Sequence, residues 1–506
     1  MSKSKKYSLC SFGLAMLLCN YLAIAEETRP SPDIKNMSLT EVIANVIKKN
    51  PQIKETITKW NVKQKEINAA WGDFEPQFIG KYHRDKLDRE ASISEIQLQS
   101  GRRQYGEENE QYNFGIEGKV ISGGNYWVGN TSSRQFTSVY KKILYDSFLG
   151  ISYQQPLLKG AWMSSPLASI QIAQKEESIA YQIYRQQLME TISQTESIYW
   201  ELAYAQEKYK ITQESTNIAR NLVEDSTQRV LTGKMSELDL MEAQAGLELR
   251  LSQQAESYQE LMDTMHRLKL LFSDNTISEN IQIVAKDPII TPDTLNEDVN
   301  KMREESLSLA MKMQPDLLSR KHELEKDKIV VGYRTDQRLP ELNIKTSYGL
   351  RGHGENLDQS LRQIQDKTYP GWTVDVEMKL PLFSGIKEQN DLDAAYLKKN
   401  LSEERIKATE YELTQTIENI TLKISSLQKR IKSTKIIVDF QKKLLEVEIA
   451  RMQEGKSNIR KVYEIEKERD EANRKALETI VRYREAIMQL VYIRGSLLID
   501  KGLASE

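Results

Sequence analysis

The chain has 506 residues, 28% of them charged and only 8% aromatic, with few glycines (23) and prolines (12). This composition is typical of long solvated helices and argues against a row of ordinary compact domains. Basic and acidic residues nearly balance at 71 and 73, which does not suggest nucleic-acid binding.

Residues 1–25 have the pattern of a secretory signal peptide. Three lysines precede an apolar stretch at 9–22, and the small-x-small tripeptide at 23–25 is a typical cleavage site. We therefore expect an exported chain that begins at Glu26. The apolar stretch is too short to cross a membrane as a helix, so a retained anchor is the disfavoured alternative.

Both cysteines of the sequence, Cys10 and Cys19, fall inside the predicted signal. A mature chain without them has no disulfide, no thiolate nucleophile and no cysteine-ligated metal. A lipid anchor on Cys19 is the alternative, and Leu18 disfavours it because such processing requires a small residue there. No later stretch reaches 18 uninterrupted apolar residues, so only strands are expected to span a membrane.

The predicted elements begin with a capping box at residues 38–41. It opens a helix over 39–70 that Pro51 interrupts. A strand is expected at 77–82, and the polar stretch 84–110 has the composition of a loop.

Alternating apolar and polar residues then predict strands at 112–120, 125–131 and 148–155. The glycine pair at 123–124 predicts the turn between the first two. A helical run over 166–231 follows.

The same series of landmarks then occurs a second time, which indicates an internal duplication. The second half has strands at 342–350 and 372–380 and a helical run over 386–454. Pro51 matches Pro315 and Pro76 matches Pro340, in both cases 264 residues further on. Pro156 matches Pro381 at 225 residues, and Gly233 matches Gly455 at 222 residues. The first half therefore carries about 39 additional residues among its strands.

These landmarks predict two structural repeats, at 26–272 and 301–506, separated by a connector at 273–300. Each glycine tip joins a long helix to a second, antiparallel one, at 236–272 and 458–500. Apolar residues with alternating steps of four and three predict a coiled-coil seam. The clearest stripe consists of Leu413, Ile417, Ile420, Ile424, Leu427 and Ile431.

The strands at 342–350 and 372–380 alternate without a fault, which predicts one face in lipid and one in water. Each half has too few strands to close a barrel, and lipid does not tolerate an open sheet edge. Several copies are therefore expected to pool strands into one polar-lined barrel that a helical cylinder continues. The alternatives are a soluble sandwich and a periplasmic coiled-coil scaffold without a pore.

In the duplicated order of its landmarks the sequence resembles the TolC-like outer-membrane efflux proteins. The strand-to-helix junctions PLLKG (Pro156 to Gly160) and PLFSG (Pro381 to Gly385) contribute to the resemblance, as do the glycine tips. The resemblance implies a mainly α fold with β. It also implies a homotrimer with a 12-stranded outer-membrane barrel, four strands per subunit, above an α-helical periplasmic tunnel.

The resemblance further implies an exit duct in the cell outer membrane for small molecules or polypeptides. Its partners would be outer-membrane lipid, a periplasmic adaptor (membrane fusion protein) and an energised inner-membrane transporter; drug efflux and type I secretion both fit. We expect no enzyme, cofactor or metal site, because the four histidines are scattered without ligand-spaced neighbours. No phosphate-binding glycine loop occurs, so the driving energy is expected to come from a partner.

The tips carry most of the residues that the resemblance assigns. The family's tip pattern is an arginine, three residues and a glycine, followed by a small polar residue and an acid. An adaptor would dock on residues that match this pattern, while bare helical turns are the alternative. The matching residues are Arg229, Gly233, Ser236 and Asp239 at the first tip, and Arg451, Gly455 and Asn458 at the second.

Members of the family also ring a closed periplasmic mouth with acids six and nine residues after the second tip glycine. Those positions are Lys461 and Glu464, so one acid is replaced by a base. Three copies of Glu464 near one axis would repel each other unless Lys461 or cations compensate. Asp239 of the first tip is the third gate candidate. The strand pair at 112–134, within the additional residues, either extends the barrel or forms a hairpin outside the membrane.

Overall fold

The computed structural model describes residues 33–272, 281–290, 295, 298–380 and 385–503. The predicted signal peptide and Pro381 lie outside these ranges. In chain order, the first half contains β1 (Asp33–Met37), α1 (Leu39–Lys49), α2 (Pro51–Trp71), β2 (Gln77–Glu90), α3 (Ile93–Leu98), β3 (Gln104–Lys119), β4 (Asn125–Thr137), β5 (Ile143–Pro156), α4 (Ser165–Leu231) and α5 (Glu237–Leu270).

The second half repeats this plan with fewer strands. It contains β6 (Ile281–Ala285), α6 (Val299–Met313), α7 (Pro315–Gln337), β7 (Glu341–Gly354), α8 (Leu357–Gln365), β8 (Tyr369–Lys379), α9 (Ile386–Gln453), α10 (Ile459–Ile493) and α11 (Leu497–Asp500). Within the described ranges, no helix is both long enough and apolar enough to cross a membrane.

The chain forms two compact units. The sheet unit contains Gln52–Glu190, Asp298–Leu422 and the residues from Gln489 onwards. The helical unit contains the chain up to Pro51 together with Thr191–Glu297 and Lys423–Met488. The long helices α4 and α9 contribute to both units.

The sheet unit is built on one antiparallel sheet of six strands in the order β2-β3-β4-β5-β7-β8. The resemblance implied four barrel strands per subunit, whereas the sheet of the described residues has six. The two further strands are β3 and β4, which lie between β2 and β5 in the same sheet. They occupy the additional residues of the first half.

The predicted loop at 84–110 is also wrong, because most of it continues the sheet. β2 extends to Glu90 and β3 already begins at Gln104, and these residues pair with each other in register. Charged side chains on these strands form cross-strand ion pairs, such as that between Arg84 and Glu108. A strand with both faces in water needs no apolar alternation, which is why its composition resembled a loop.

Five glycines lie side by side across the sheet, one each on β3, β4, β5, β7 and β8. The row consists of Gly115, Gly129, Gly150, Gly349 and Gly371, each paired with the next. The side chains of Trp127 and Phe148 cover the first four of these glycines, where an added Cβ would lie less than 3 Å from them, whereas nothing lies closer than 3.5 Å at Gly371. Glycine rows of this kind let a twisted sheet bend sharply.

The helical unit contains a small parallel pair, β1 with β6. The predicted connector 273–300 is thus not purely a connector, since it contains β6 and the start of α6. Asp287, just after β6, accepts the backbone N–H of Leu39 at 2.8 Å and lies 2.8 Å from the buried Tyr199 hydroxyl. These contacts tie the segment after β6 to the start of α1, whose predicted capping box of Ser38 and Glu41 is confirmed.

The predicted seam on α9 is buried along its length. All six of its apolar residues, from Leu413 to Ile431, are less than a tenth exposed. A continuous buried stripe on a charged helix is the mark of coiled-coil packing, so this prediction is confirmed. 

The glycine row makes a prediction about the stability of the sheet. A Cβ at Gly150 would lie 2.5 Å from the Tyr348 carbonyl oxygen, whereas at Gly371 its nearest neighbour is 3.5 Å away. We expect Gly150→Ala to cost about 1–3 kcal/mol by overpacking and to lower the unfolding temperature of the purified protein. Gly371→Ala is the matched control, and equal midpoints for the two variants would contradict the proposed crowding.

Candidate functional site

One face of the six-stranded sheet is apolar from edge to edge. Cross-strand partners share a face, so a single row crosses all six strands. That row consists of Phe78, Ile116, Val128, Ile151, Tyr348 and Trp372. Phe78 and Trp372, on the two outer strands, are 76% and 74% exposed. An exposed apolar surface of this extent calls for an apolar partner.

The opposite face is polar and carries paired groups. Glu341 and Lys379 lie 3.8 Å apart at one end of the sheet, and Asp146 and His353 lie 2.6 Å apart towards the other. Between them, Ser347 bonds to a threonine of β8 at 2.7 Å. The sheet therefore separates an apolar surface from a polar one.

The junction between β5 and α4 is held by the second repeat. Gly160 has φ +86° and donates its N–H to a carboxylate oxygen of Asp336 at 2.6 Å. Leu157 donates its N–H to the Leu342 carbonyl at 2.7 Å, just beyond Pro156. At the other junction, Gly385 has φ +56°, which only glycine adopts without strain.

The first tip is a helix end followed at once by a helix start. Gly233 has φ +71°, and the next N–H, that of Lys234, donates to the Arg229 carbonyl at 2.8 Å. This is a Schellman motif, which satisfies the last carbonyls of α4. Ser236 and Asp239 then form a reciprocal capping box at the start of α5.

The second tip has the same backbone geometry and different side chains. Gly455 has φ +74°, and Lys456 donates its N–H to the Arg451 carbonyl at 2.8 Å. Asn458 caps α10 by accepting the Lys461 N–H at 2.9 Å. The Arg451 side chain lies 3.3 Å from Glu448.

The gate candidates fall into two groups. Lys461 and Glu464 form an exposed ion pair at 2.8 Å, and their hydrogen bond lowers the pKa of Glu464 and raises that of Lys461. A lysine in the first turn of a helix is disfavoured by the helix dipole, and Glu464 offsets that cost. Asp239 does not take part in this ion pair. Its carboxylate instead accepts the Ser236 hydroxyl in the cap of α5.

Sequence reasoning missed an apolar patch on the first tip. Leu231, Leu238 and Met241 are 76%, 66% and 64% exposed. Two of them are three residues apart at the start of α5, a spacing that puts them on one helix face. That spacing next to the glycine is the signal that could have revealed the patch.

Sequence reasoning also missed a buried ion pair beyond the tips. Arg250 of α5 and Glu466 of α10 lie 2.8 Å apart, and the Glu466 side chain is fully buried. Ser215 of α4 donates its hydroxyl to the second Glu466 oxygen at 2.6 Å. The pair therefore links three helices of the helical unit.

An aromatic ring covers this pair. The Arg250 guanidinium lies 4.5 Å from the centre of the Tyr463 ring. That ring packs on Gly246, where any Cβ would approach it to 2.3 Å. Burial raises the Tyr463 pKa to about 12. The glycine in the middle of α5 was the signal for this close packing.

Among the described residues, no three His, Cys, Asp or Glu side chains cluster as a metal site would require. The candidate surfaces of the described residues are instead the two unlike faces of the sheet and the two helical tips.

Comparison with protein families gives one match. The sequence model of the outer membrane efflux protein family matches residues 130–272 and 306–494, about two thirds of the chain. None of the curated protein sequences compared with the chain matches it.

Several solved structures have the same fold. A membrane protein from Pseudomonas aeruginosa has 13% sequence identity and a TM-score of 0.64, with 92% of this chain and 91% of that chain covered. The Campylobacter jejuni CmeC outer membrane channel has 15% identity and a TM-score of 0.61, with 90% and 85% covered. The open state of the Neisseria gonorrhoeae MtrE outer membrane channel has 14% identity and a TM-score of 0.62, with 90% and 88% covered. The predicted TolC-like fold is confirmed.

The buried pair makes a prediction about the helical unit. Glu466→Ala leaves the buried Arg250 charge unpaired, which we expect to cost about 3–5 kcal/mol. The double variant Arg250→Met with Glu466→Leu removes both charges and should recover most of that loss. Thermal unfolding followed by circular dichroism in detergent measures both.

Lys456→Ala is the control, because its ion pair with Glu454 is exposed on both sides. It should leave the unfolding midpoint unchanged. If the double variant were as unstable as Glu466→Ala, the unpaired charge would not be the cause.

Proposed function

Because the chain belongs to the outer membrane efflux protein family, we propose that three copies pool their sheets into one barrel and form the exit duct of an efflux system. Members of this family are outer-membrane channels, and the chain serves as such a duct. The number of copies and the shared barrel are the parts of the proposal that go beyond the family match.

The observation that carries the proposal is the sheet itself. Its apolar face suits lipid, and its polar face suits a water-filled passage. Within the described residues, β2 and β8 each pair with one strand and have a free edge. Joining the β8 edge of one copy to the β2 edge of the next satisfies both edges and closes the wall.

The helices extend the passage into the periplasm. Helices α4 and α9 leave the sheet through glycine junctions, and each folds back at a tip. A long charged helix with a buried apolar stripe suits a wall that faces water on both sides. This arrangement supports a helical tunnel that continues the barrel.

The tips are the docking sites for a periplasmic adaptor, which couples the duct to an energised inner-membrane transporter. The exposed patch of Leu231, Leu238 and Met241 supplies the apolar contact that such docking needs. Arg229 and Arg451, in the last helical turns, supply charge at each tip.

The periplasmic mouth is closed by Glu464 and its ion pair with Lys461. Three symmetry-related carboxylates near one axis would attract a divalent cation, and three lysines would partly neutralise them. The mouth is therefore expected to bind cations more weakly than one lined by two rings of acids.

The function is tested by recording currents from the purified protein in planar lipid bilayers. Discrete channels should appear, and divalent cations on the periplasmic side should block them. Glu464→Ala should weaken that block, whereas Glu471→Ala, an exposed acid further along the same helix, should not. An absence of channels would contradict the duct, and an unchanged block in Glu464→Ala would contradict the gate alone.

Adaptor docking makes a separate prediction. Met241→Asp replaces an exposed apolar group with a charge and should abolish co-purification with the periplasmic adaptor. Ile93→Asp makes the same exchange at an 80% exposed residue of the sheet unit and should leave co-purification intact. Equal recovery of the adaptor with both variants would place docking elsewhere.

A further inference from the structure

We infer that β3 and β4 belong to the wall of the barrel, so that each copy contributes six strands and three copies contribute eighteen. The inference rests on the proposed function, since it assumes that three copies share one barrel. It replaces the four strands per subunit that the family resemblance implied.

Pairing places the two strands inside the sheet. β3 pairs with β2 from Gln77 to Glu90, and β4 pairs with β5 from Asn125 to Phe136. In the described residues, β2 and β5 do not pair with each other. The hairpin is therefore interposed between two wall strands, and removing it from the wall would break both ladders.

The faces of the hairpin match those of its neighbours. Ile116 and Val128 lie in the apolar row that runs from Phe78 to Trp372, and Val128 is 44% exposed. A hairpin outside the membrane would gain nothing from an exposed apolar face in register with lipid-facing strands. The occupant of this face is therefore lipid, continuous with that of β8.

The glycine row of the sheet also continues through the hairpin. Gly115 and Gly129 continue the glycine row of β5, β7 and β8 into the hairpin without a shift in register. A Cβ at Gly129 would lie 2.3 Å from the Phe114 carbonyl oxygen, so the close approach requires glycine. A row of glycines at one level would let all five strands bend together, as a closed wall requires.

The turn between the strands is fixed to the β5 junction. Gly123 has φ +82°, and any Cβ there would lie 2.2 Å from the Gly160 carbonyl oxygen. The Gln155 side chain donates to the Ser122 carbonyl at 2.8 Å and lies 3.1 Å from its hydroxyl. The hairpin therefore ends at the level where the wall passes into helices.

An eighteen-stranded wall changes the width of the duct. Barrel diameter grows roughly linearly with strand number, so the lumen would be about 1.5 times as wide as with twelve strands. β3 and β4 carry no helix of their own at their shared turn. The two strands would therefore widen the barrel in the membrane and not the helical tunnel.

The test labels single cysteines in the assembled protein in lipid vesicles. Val128→Cys and Val374→Cys lie on the apolar face of β4 and β8, and Thr131→Cys and Thr373→Cys lie on the polar face of the same strands. The unmodified chain is the blank, as both its cysteines lie in the predicted signal. The probes are a charged, membrane-impermeant thiosulfonate and a lipid-soluble maleimide.

Val128→Cys should behave like Val374→Cys: both should react with the maleimide, and neither should react with the thiosulfonate. Both threonine positions should react with the thiosulfonate. If Val128→Cys reacted with the thiosulfonate as fast as Thr131→Cys while Val374→Cys stayed protected, the hairpin would lie outside the wall. Reaction of both valine positions with the thiosulfonate would instead contradict the shared barrel. The two failures are thus distinguishable.

Discussion

The unpaired backbone groups on the outer edges of β2 and β8 are the constraint on which the rest of the molecule depends. The sheet between them has an apolar face along all six strands, which favours lipid, yet lipid cannot satisfy a free N–H or carbonyl. Edge-to-edge pairing between copies resolves this conflict. Under the proposed function, assembly is thus a condition for placing the sheet in a membrane, and the polar face would then line the passage.

The duplicated helical hairpins share a backbone and differ in chemistry. Both tips end in a glycine of positive φ with the same Schellman bonds. The first tip then presents Leu238 and Met241, whereas the second has an exposed lysine and glutamate paired with each other. The first tip therefore presents an apolar surface and the second a charged one. The buried Arg250–Glu466 pair joins the hairpins behind both tips.

The sequence predicted what local chemistry determines. The strict alternation near Trp372 predicted β8, the positive-φ glycines predicted both tips, and the buried stripe on α9 followed from its spacing. The predicted loop at 84–110 was wrong, because ion pairs across the strands hold that part of the sheet together. Long-range pairing was equally invisible, since the partner of β1 lies on β6 and the second partner of β5 lies on β7.

Hydrogen exchange of the backbone amides tests the central claim most directly. The purified protein in detergent would be compared strand by strand, with β4 and β5 as internal references because both have two neighbours. If the wall is shared between copies, the amides of β2 and β8 are protected as strongly as those references. Fast exchange confined to the outward-facing amides of β2 and β8 would show that their edges are free, and would contradict a wall shared between copies.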